Sequence, residues 1–356
     1  MSARERRIYS THDARVDAQL SALVDTIPDT LDRELLRELL VSVYRLGQDN
    51  ATTGDLKIIN SALKELRYAF KIFSPFRNMR KVAMFGSARV GESHPAYGMA
   101  QEFGKLMAQA GWGVITGAAS GIMRAGHEGA GREASFGLNI RLPFEQEANP
   151  VIAEDKKLVT CKYFFTRKLL FIKESQATVL FPGGFGTLDE GFECLTLVQT
   201  GKADPRPVVF VDPPDGGYWK PLIDFVEGPM LKQKMISDSD RFTYQVVRSS
   251  QDAVKAVLDF YRVYHSIRYV GKKLVIRTLQ PLPAAMIGRL NRDFADLLSE
   301  DKIQQGKALP EESEESEIAH LSRLYVPFDR RSYGRLFQLI QTINQAPKTA
   351  NSRPRG

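Results

Sequence analysis

Only two cysteines, Cys161 and Cys194, occur in 356 residues. That is too few for a disulfide framework, and both lie in apolar segments, as small core residues of a chain suited to a reducing compartment. No cysteine or histidine spacing suits a metal: "HEGAGRE" lacks the second histidine of the HExxH pattern. His94 and His127 stand near glycine-rich stretches but read as single surface or core residues. No apolar run approaches the ~20 residues that span a bilayer, and "MSARERRIYSTHDARVD" has no apolar signal-peptide core. The expectation is a soluble, cytoplasmic protein with no membrane partner. Charge of one sign is not concentrated either, since 49 Lys and Arg alternate with 42 Asp and Glu for a net +7. Without a clustered basic and aromatic face, nucleic-acid binding is not expected.

What is present is enough apolar residue, 43% of the chain, for a substantial core, in a length that suits one main domain with additions. Residues 1–78 read as a helical extension. "LDRELLRELLVSVYRLG" puts Leu31, Leu35, Leu36, Leu39 and Val43 on one face with Gly47 as a stop, and "DLKIINSALKELRYAFKIF" repeats the pattern.

From Arg80 the rhythm changes to short apolar runs ending in glycine, each followed by a segment of helical period. These are "KVAMFGSA", "GWGVITGAAS", "FGLNIRLP", "ATVLFPGG" and "RPVVFVD". Runs without polar alternation suit strands buried on both faces, so residues 79–265 are expected to form an α/β domain, a doubly wound parallel sheet. Within it, "SHPAYGMAQEFGKLMAQAG" starts a helix with Ser93 and Pro95 and closes it at Gly111. Residues 266–345 read strand, helix, strand, helix, a small α+β appendage in which "PEESEESE" is a solvated acidic loop. Residues 346–356 read as a frayed, disordered tail.

Three strand-to-helix turns are rich in small residues: "GSARVG" at 86–91, "TGAASG" at 116–121 and "PGGFGT" at 182–187. In a parallel sheet all three lie along the carboxyl edge, where ligands bind, and each precedes a helix N-terminus with its partial positive charge. Together they describe a phosphate or nucleotide pocket. Neither G-x-x-x-x-G-K-[ST] nor G-x-G-x-x-G is spelled, so a mononucleotide fits better than a Walker or dinucleotide site.

The third turn continues into "TLDE". Thr187 and Glu190 have the spacing of a capping box, which would make both structural. Glu193 shares a helix face with Glu190, however, and a cap needs only one carboxylate. Upstream, Arg167 and Lys168 open a helix whose dipole opposes cations. Either they reach solvent, or they meet an anion: a ligand phosphate or the carboxylates of the next helix.

The combination of R-K, an apolar strand and P-G-G-x-G-T-x-x-E in "TRKLLFIKESQATVLFPGGFGTLDE" resembles the LOG family, the cytokinin riboside 5′-monophosphate phosphoribohydrolases, once misnamed lysine decarboxylases. "GSAR" and "TGAASGIM" are similar to that family's earlier loops, and the resemblance spans roughly residues 80–265. It implies a Rossmann-like fold and hydrolysis of the N-glycosidic bond of AMP or N6-modified AMP to free base and ribose 5-phosphate. It further implies no metal or pyridoxal cofactor, and a homodimer or higher homo-oligomer. The family's chemistry then falls on Arg167 and Glu190, and substrate binding on Gly86, Ser87, Lys168, Gly183, Gly184, Gly186, Thr187, Glu193 and Thr196. The second loop departs from the family by reading "GAAS" where many members have a run of glycines.

Developing positive charge on the ribose suits a carboxylate, and Glu190 is the candidate. Arg167 would either assist the departing base or hold Glu190 ionised. The competing reading is a non-catalytic nucleotide or cofactor carrier on the same scaffold, similar to molybdenum-cofactor carrier proteins, which would need neither residue at a reactive spacing. Lysine decarboxylation lacks a lysine motif placed for a Schiff base.

Overall fold

The computed structural model describes residues 9–28, 32–143, 147–214, 216–299 and 302–347. They fall into two compact units, residues 1–67 and 68–356. In the first unit, α1 (Ala14–Asp25) and α2 (Arg33–Gln48) each start at an aspartate, Asp13 and Asp32, whose carboxylate accepts first-turn N–H groups. These two helices pack on each other. Gly47 does not stop α2. The turn comes at Asn50, with φ of 55°, before α3 (Thr53–Phe73). Leu31 of the expected apolar stripe lies outside the described residues. Leu35, Leu39 and Val43 are more than half exposed while Val41 is buried, so the packed stripe of α2 is rotated from the one the leucines suggest.

The second unit begins within the last turns of α3, where the ring of Phe73 stacks on Phe136. It then alternates β1 (Lys81–Phe85), α4 (Pro95–Gln109), β2 (Gly113–Thr116), α5 (Ile122–Ala134), β3 (Ser135–Ile140) and β4 (Leu158–Cys161). There follow α6 (Phe164–Glu174), β5 (Ala177–Leu180), α7 (Phe185–Gln199), β6 (Val208–Val211), α8 (Lys220–Phe225), β7 (Tyr244–Val247) and α9 (Ser250–Phe260). All seven strands are parallel, in the order β4-β3-β2-β1-β5-β6-β7. The doubly wound sheet expected from the five apolar runs is therefore present, and its topological switch point lies between β1 and β5. Every residue of β1, β2, β3, β5 and β6 is buried. The two strands that the apolar runs did not reveal, "LVTC" and "YQVV", are the sheet's edges and are partly exposed. An edge strand needs no continuous apolar run.

His94 rather than Ser93 caps α4: its Nδ1 accepts the Ala96 N–H at 3.1 Å, with Pro95 in the first turn.

The remaining strands, β8 (Tyr264–Val270), β9 (Lys273–Thr278), β10 (Gln304–Gly306) and β11 (Ser322–Val326), form an antiparallel sheet in the order β10-β11-β9-β8. With α10 (Ala284–Asp293) and α11 (Tyr333–Ile343) this is the expected α+β addition, but it has no core of its own. Phe260, Tyr261 and Tyr264 join Leu274 and Ile276 of β9, Leu324 of β11 and Ile340 of α11 in one apolar cluster with the parallel sheet. The rings of Phe260 and Phe337 lie 5.0 Å apart within it.

"PEESEESE" is not simply a solvated loop, because Glu312 is buried between Arg277 and Arg323. Burying two strand arginines requires a counter-charge, and that short acidic segment supplies it. At the expected tail, Ala346 is buried and the Pro347 carbonyl accepts the Gln280 amide at 2.6 Å; residues 348–356 lie outside the described residues. Among the described residues no helix is long and apolar enough to cross a membrane.

Candidate functional site

The turns after β1, β2 and β5 meet at the switch point. The Ser87 N–H donates to the Pro182 carbonyl at 3.0 Å, and the Ile122 N–H donates to the Ser87 carbonyl at 3.1 Å. Ser120 Oγ donates to the Ala88 carbonyl at 2.9 Å. Such close approach needs a residue without a side chain at 121. Gly121 has φ 64° and ψ −134°, and a Cβ there would stand 2.3 Å from the Ser87 carbonyl oxygen. Gly121→Ala is expected to destabilise the protein by about 2 kcal/mol or more, through backbone strain and displacement of the first loop. Urea unfolding followed by circular dichroism measures it, and an unchanged midpoint contradicts this account.

The departure "GAAS" is accommodated by the backbone. Ala118 adopts φ of 63°, its N–H donates to Thr116 Oγ1 at 2.9 Å, and its carbonyl accepts from the Asn149 N–H at 2.8 Å. His127 completes this buried support, with ring nitrogens near Thr116 Oγ1, the Phe136 carbonyl and Asn149. Burial pulls its pKa down to about 4, so His127 is neutral and structural at physiological pH.

The third turn leads directly into α7. Gly184 is its N-cap and no side chain caps it. Thr187 is therefore the third helical residue, not the cap, and its N–H donates to the Gly184 carbonyl at 3.0 Å. The capping-box alternative fails, because that N–H is not held by Glu190. What remains is an uncapped helix N-terminus lining the cleft, with Gly184, Gly186 and Thr187 beside an exposed Phe185, which favours an anion.

Glu190 lies a turn further along α7 and is 5% exposed. Its carboxylate oxygens stand 3.7 Å from Arg167 Nη2 and 3.6 Å from Lys168 Nζ. Both distances exceed those of a hydrogen bond. Burial pushes the Glu190 pKa up to about 6 against the opposing pull of Lys168 and Arg167. Arg167 is partly buried, with its guanidinium carbon 4.9 Å from the Phe164 ring centre and 5.8 Å from that of Phe171. Its Nε has no hydrogen-bond partner. Burial lowers its pKa, and Glu190 opposes the shift.

Lys168 points to carboxylates: Nζ is 2.8 Å from Asp189 and 2.8 Å from Glu193. Burial pulls its pKa down, but the hydrogen bonds to Asp189 and Glu193 outweigh this and leave it raised. Both residues thus face carboxylates of the next helix rather than open solvent.

The cleft encloses about 950 Å³ and brings together Gly86, Ser87, Arg167, Gly183, Gly184, Gly186, Thr187 and Glu190. Lys168 and Glu193 stand behind Glu190, outside the lining. Thr196 lies two turns further along α7, against a separate small cavity with Phe192 and Phe210. Sequence reasoning did not find Asn139 and Ile140 at the end of β3, or Tyr218 in the turn after β6, all of which line the cleft. The rule that ligands sit beyond carboxyl strand ends points to both turns; the turn after β3 is poor in small residues, and the glycine pair Gly216–Gly217 after β6 was a signal that could have found Tyr218. Among the described residues no lysine lines the cleft.

Fold and site together define a Rossmann-like α/β domain with an anion-favouring cleft at its switch point. Residues 116–257 match the family model described as "Possible lysine decarboxylase". The chain is 32% identical over 94 residues to cytokinin riboside 5′-monophosphate phosphoribohydrolase LOG1 of Arabidopsis thaliana, a match covering 26% of this chain and 42% of that relative. It is 27% identical over 160 residues to the cytokinin riboside 5′-monophosphate phosphoribohydrolase of Mycobacterium tuberculosis, covering 44% of this chain and 83% of that one. Among solved structures, the molybdenum cofactor carrier protein of Chlamydomonas reinhardtii is 21% identical with a TM-score of 0.36, over 51% of this chain and 96% of that chain. The resemblance of the α/β domain to the LOG family is thus shown by sequence as well as by its paired motif.

Proposed function

We propose that the protein is a nucleoside 5′-monophosphate phosphoribohydrolase acting on AMP or N6-modified AMP. The observation that carries this reading is the facing pair of a partly buried Arg167 and a buried Glu190, 3.7 Å apart, just behind the uncapped N-terminus of α7. An anion at the helix start and a carboxylate one turn on suit the two ends of a ribose 5-phosphate. Water adds at C1′ as the bond from C1′ to the base nitrogen breaks. Glu190 stabilises the positive charge on the ribose and takes a proton from that water. Arg167 offsets negative charge on the departing base, which takes up a proton from solvent while Glu190 returns its own to solvent, and ribose 5-phosphate remains. The names of the two relatives support the same reaction class. The reading also carries a cytoplasmic homodimer or higher homo-oligomer.

Purified protein incubated with AMP and with isopentenyl-AMP is expected to release free base and ribose 5-phosphate in equal amounts, measured by chromatography. Binding of these nucleotides with no base release from any of a panel of nucleoside monophosphates would replace the hydrolase by the carrier reading.

A further inference from the structure

We propose that Tyr218 is a positioning residue for the phosphate cradle, acting through the Gly183 carbonyl. The inference rests on the nucleotide reading above. Its starting point is where the carbonyls of the third turn go. A backbone turn that holds an anion must keep its own carbonyl oxygens, each partly negative, away from the ligand. The Pro182 carbonyl accepts the Ser87 N–H, and the Gly184 carbonyl accepts the N–H groups of Thr187 and Leu188 inside the helix. Between them the Gly183 carbonyl accepts from the Tyr218 hydroxyl at 2.6 Å.

Tyr218 is itself held from the far side of the cleft. Asp212, buried at the end of β6, accepts the N–H groups of Gly217, Tyr218 and Trp219 at 3.0, 3.1 and 3.3 Å. The Tyr218 ring meets the buried Trp219 ring edge-on at 4.9 Å, and the Trp219 indole N–H donates to the Val211 carbonyl at 3.1 Å. The backbone that carries this half-exposed ring is therefore held by contacts that do not involve its hydroxyl, and the hydroxyl ties the turn after β6 to the cradle. Rotating the peptide between Gly183 and Gly184 would turn an oxygen toward the anion and an N–H away from it. Tyr218 opposes that rotation.

Tyr218→Phe removes only the hydroxyl. In steady-state assays with AMP it is expected to raise KM about tenfold, the worth of one hydrogen bond, while kcat changes less than about twofold. Calorimetry in a Glu190→Gln background, where substrate is not consumed, is expected to show the same loss of affinity for AMP and for ribose 5-phosphate. Affinity for free adenine, which has no phosphate, stays unchanged. Unchanged binding of AMP and ribose 5-phosphate overturns the inference, and so does equal weakening of adenine, which would make Tyr218 a general structural support. If Tyr218-containing protein binds neither AMP nor ribose 5-phosphate, the nucleotide reading itself fails, a result distinct from either of these.

Discussion

Glu190→Gln is expected to lower base release from AMP about 10³-fold while leaving the protein at least as stable as before. The rate loss follows from removing the one buried carboxylate that, among the described residues, lines the cleft and faces Arg167, and its size is that of a single electrostatic partner of the transition state. The stability expectation follows from the same burial. The Glu190 pKa is raised to about 6 from an ordinary 4.5, so between these values the folded state holds more proton than the unfolded one. Stability from this group therefore falls as pH rises through that window, and the ionised form costs roughly 2 kcal/mol above it. A glutamine does not ionise, so the variant's unfolding midpoint should equal or exceed that of the parent at about pH 7.5, and the difference should vanish near pH 4.5. The parent's kcat/KM should fall tenfold per pH unit below about pH 6, as Glu190 takes up a proton. A variant with unimpaired base release would remove Glu190 from the chemistry; one that is inactive but much less stable would mean that the lost activity reports unfolding.

The parts of this site that were legible in the sequence are those with local causes. Short apolar runs ending in glycine mark buried parallel strands, and the small residues after β1, β2 and β5 mark turns where backbones approach. The resemblance carried by the R-K and P-G-G-x-G-T-x-x-E motifs assigned Arg167 and Glu190 to one site, and the cleft brings the two together. Thr187 and Glu190 were ambiguous for a physical reason. Their spacing fits a capping box, and only the start of α7 at Phe185 decides that Thr187 lies inside the helix. Lys168 shows the converse limit. Its sequence position beside Arg167 is compatible with a ligand contact, yet Asp189 and Glu193 claim its ammonium group. Tyr218 was not legible at all, since its bond to Gly183 joins residues 35 apart in sequence and depends on the sheet order that places β6 beside β5.

Glu312→Ala is expected to destabilise the second unit by about 3–5 kcal/mol, the cost of leaving buried charge without its partner. Arg277 and Arg323 are paired across β9 and β11, both buried, and both use Glu312. Arg277 donates from Nε and Nη2 to one Glu312 oxygen at 2.9 and 2.8 Å, and Arg323 Nε lies 3.3 Å from the same oxygen. The other oxygen accepts the Leu309 N–H at 3.0 Å. Arg323 also donates to the carbonyls of Ile318 and Leu321, but carbonyls do not neutralise its charge. Removing Glu312 leaves Glu315, which contacts Arg277 from a more exposed position, as the remaining carboxylate of the cluster. Burial alone would raise the Glu312 pKa, but the Leu309 N–H and the two guanidinium groups outweigh it and hold it below its ordinary value. The sign of the pH dependence is therefore opposite to that of Glu190: this contribution is complete above about pH 4.5 and is lost as pH falls through the lowered value. Because the antiparallel sheet shares its apolar core with the parallel one, the loss should appear as an earlier midpoint of one cooperative transition in urea, with base release following the folded fraction. A cost under about 1 kcal/mol would show that Glu315 and water replace Glu312, and that the cluster holds its arginines less tightly than their burial implies.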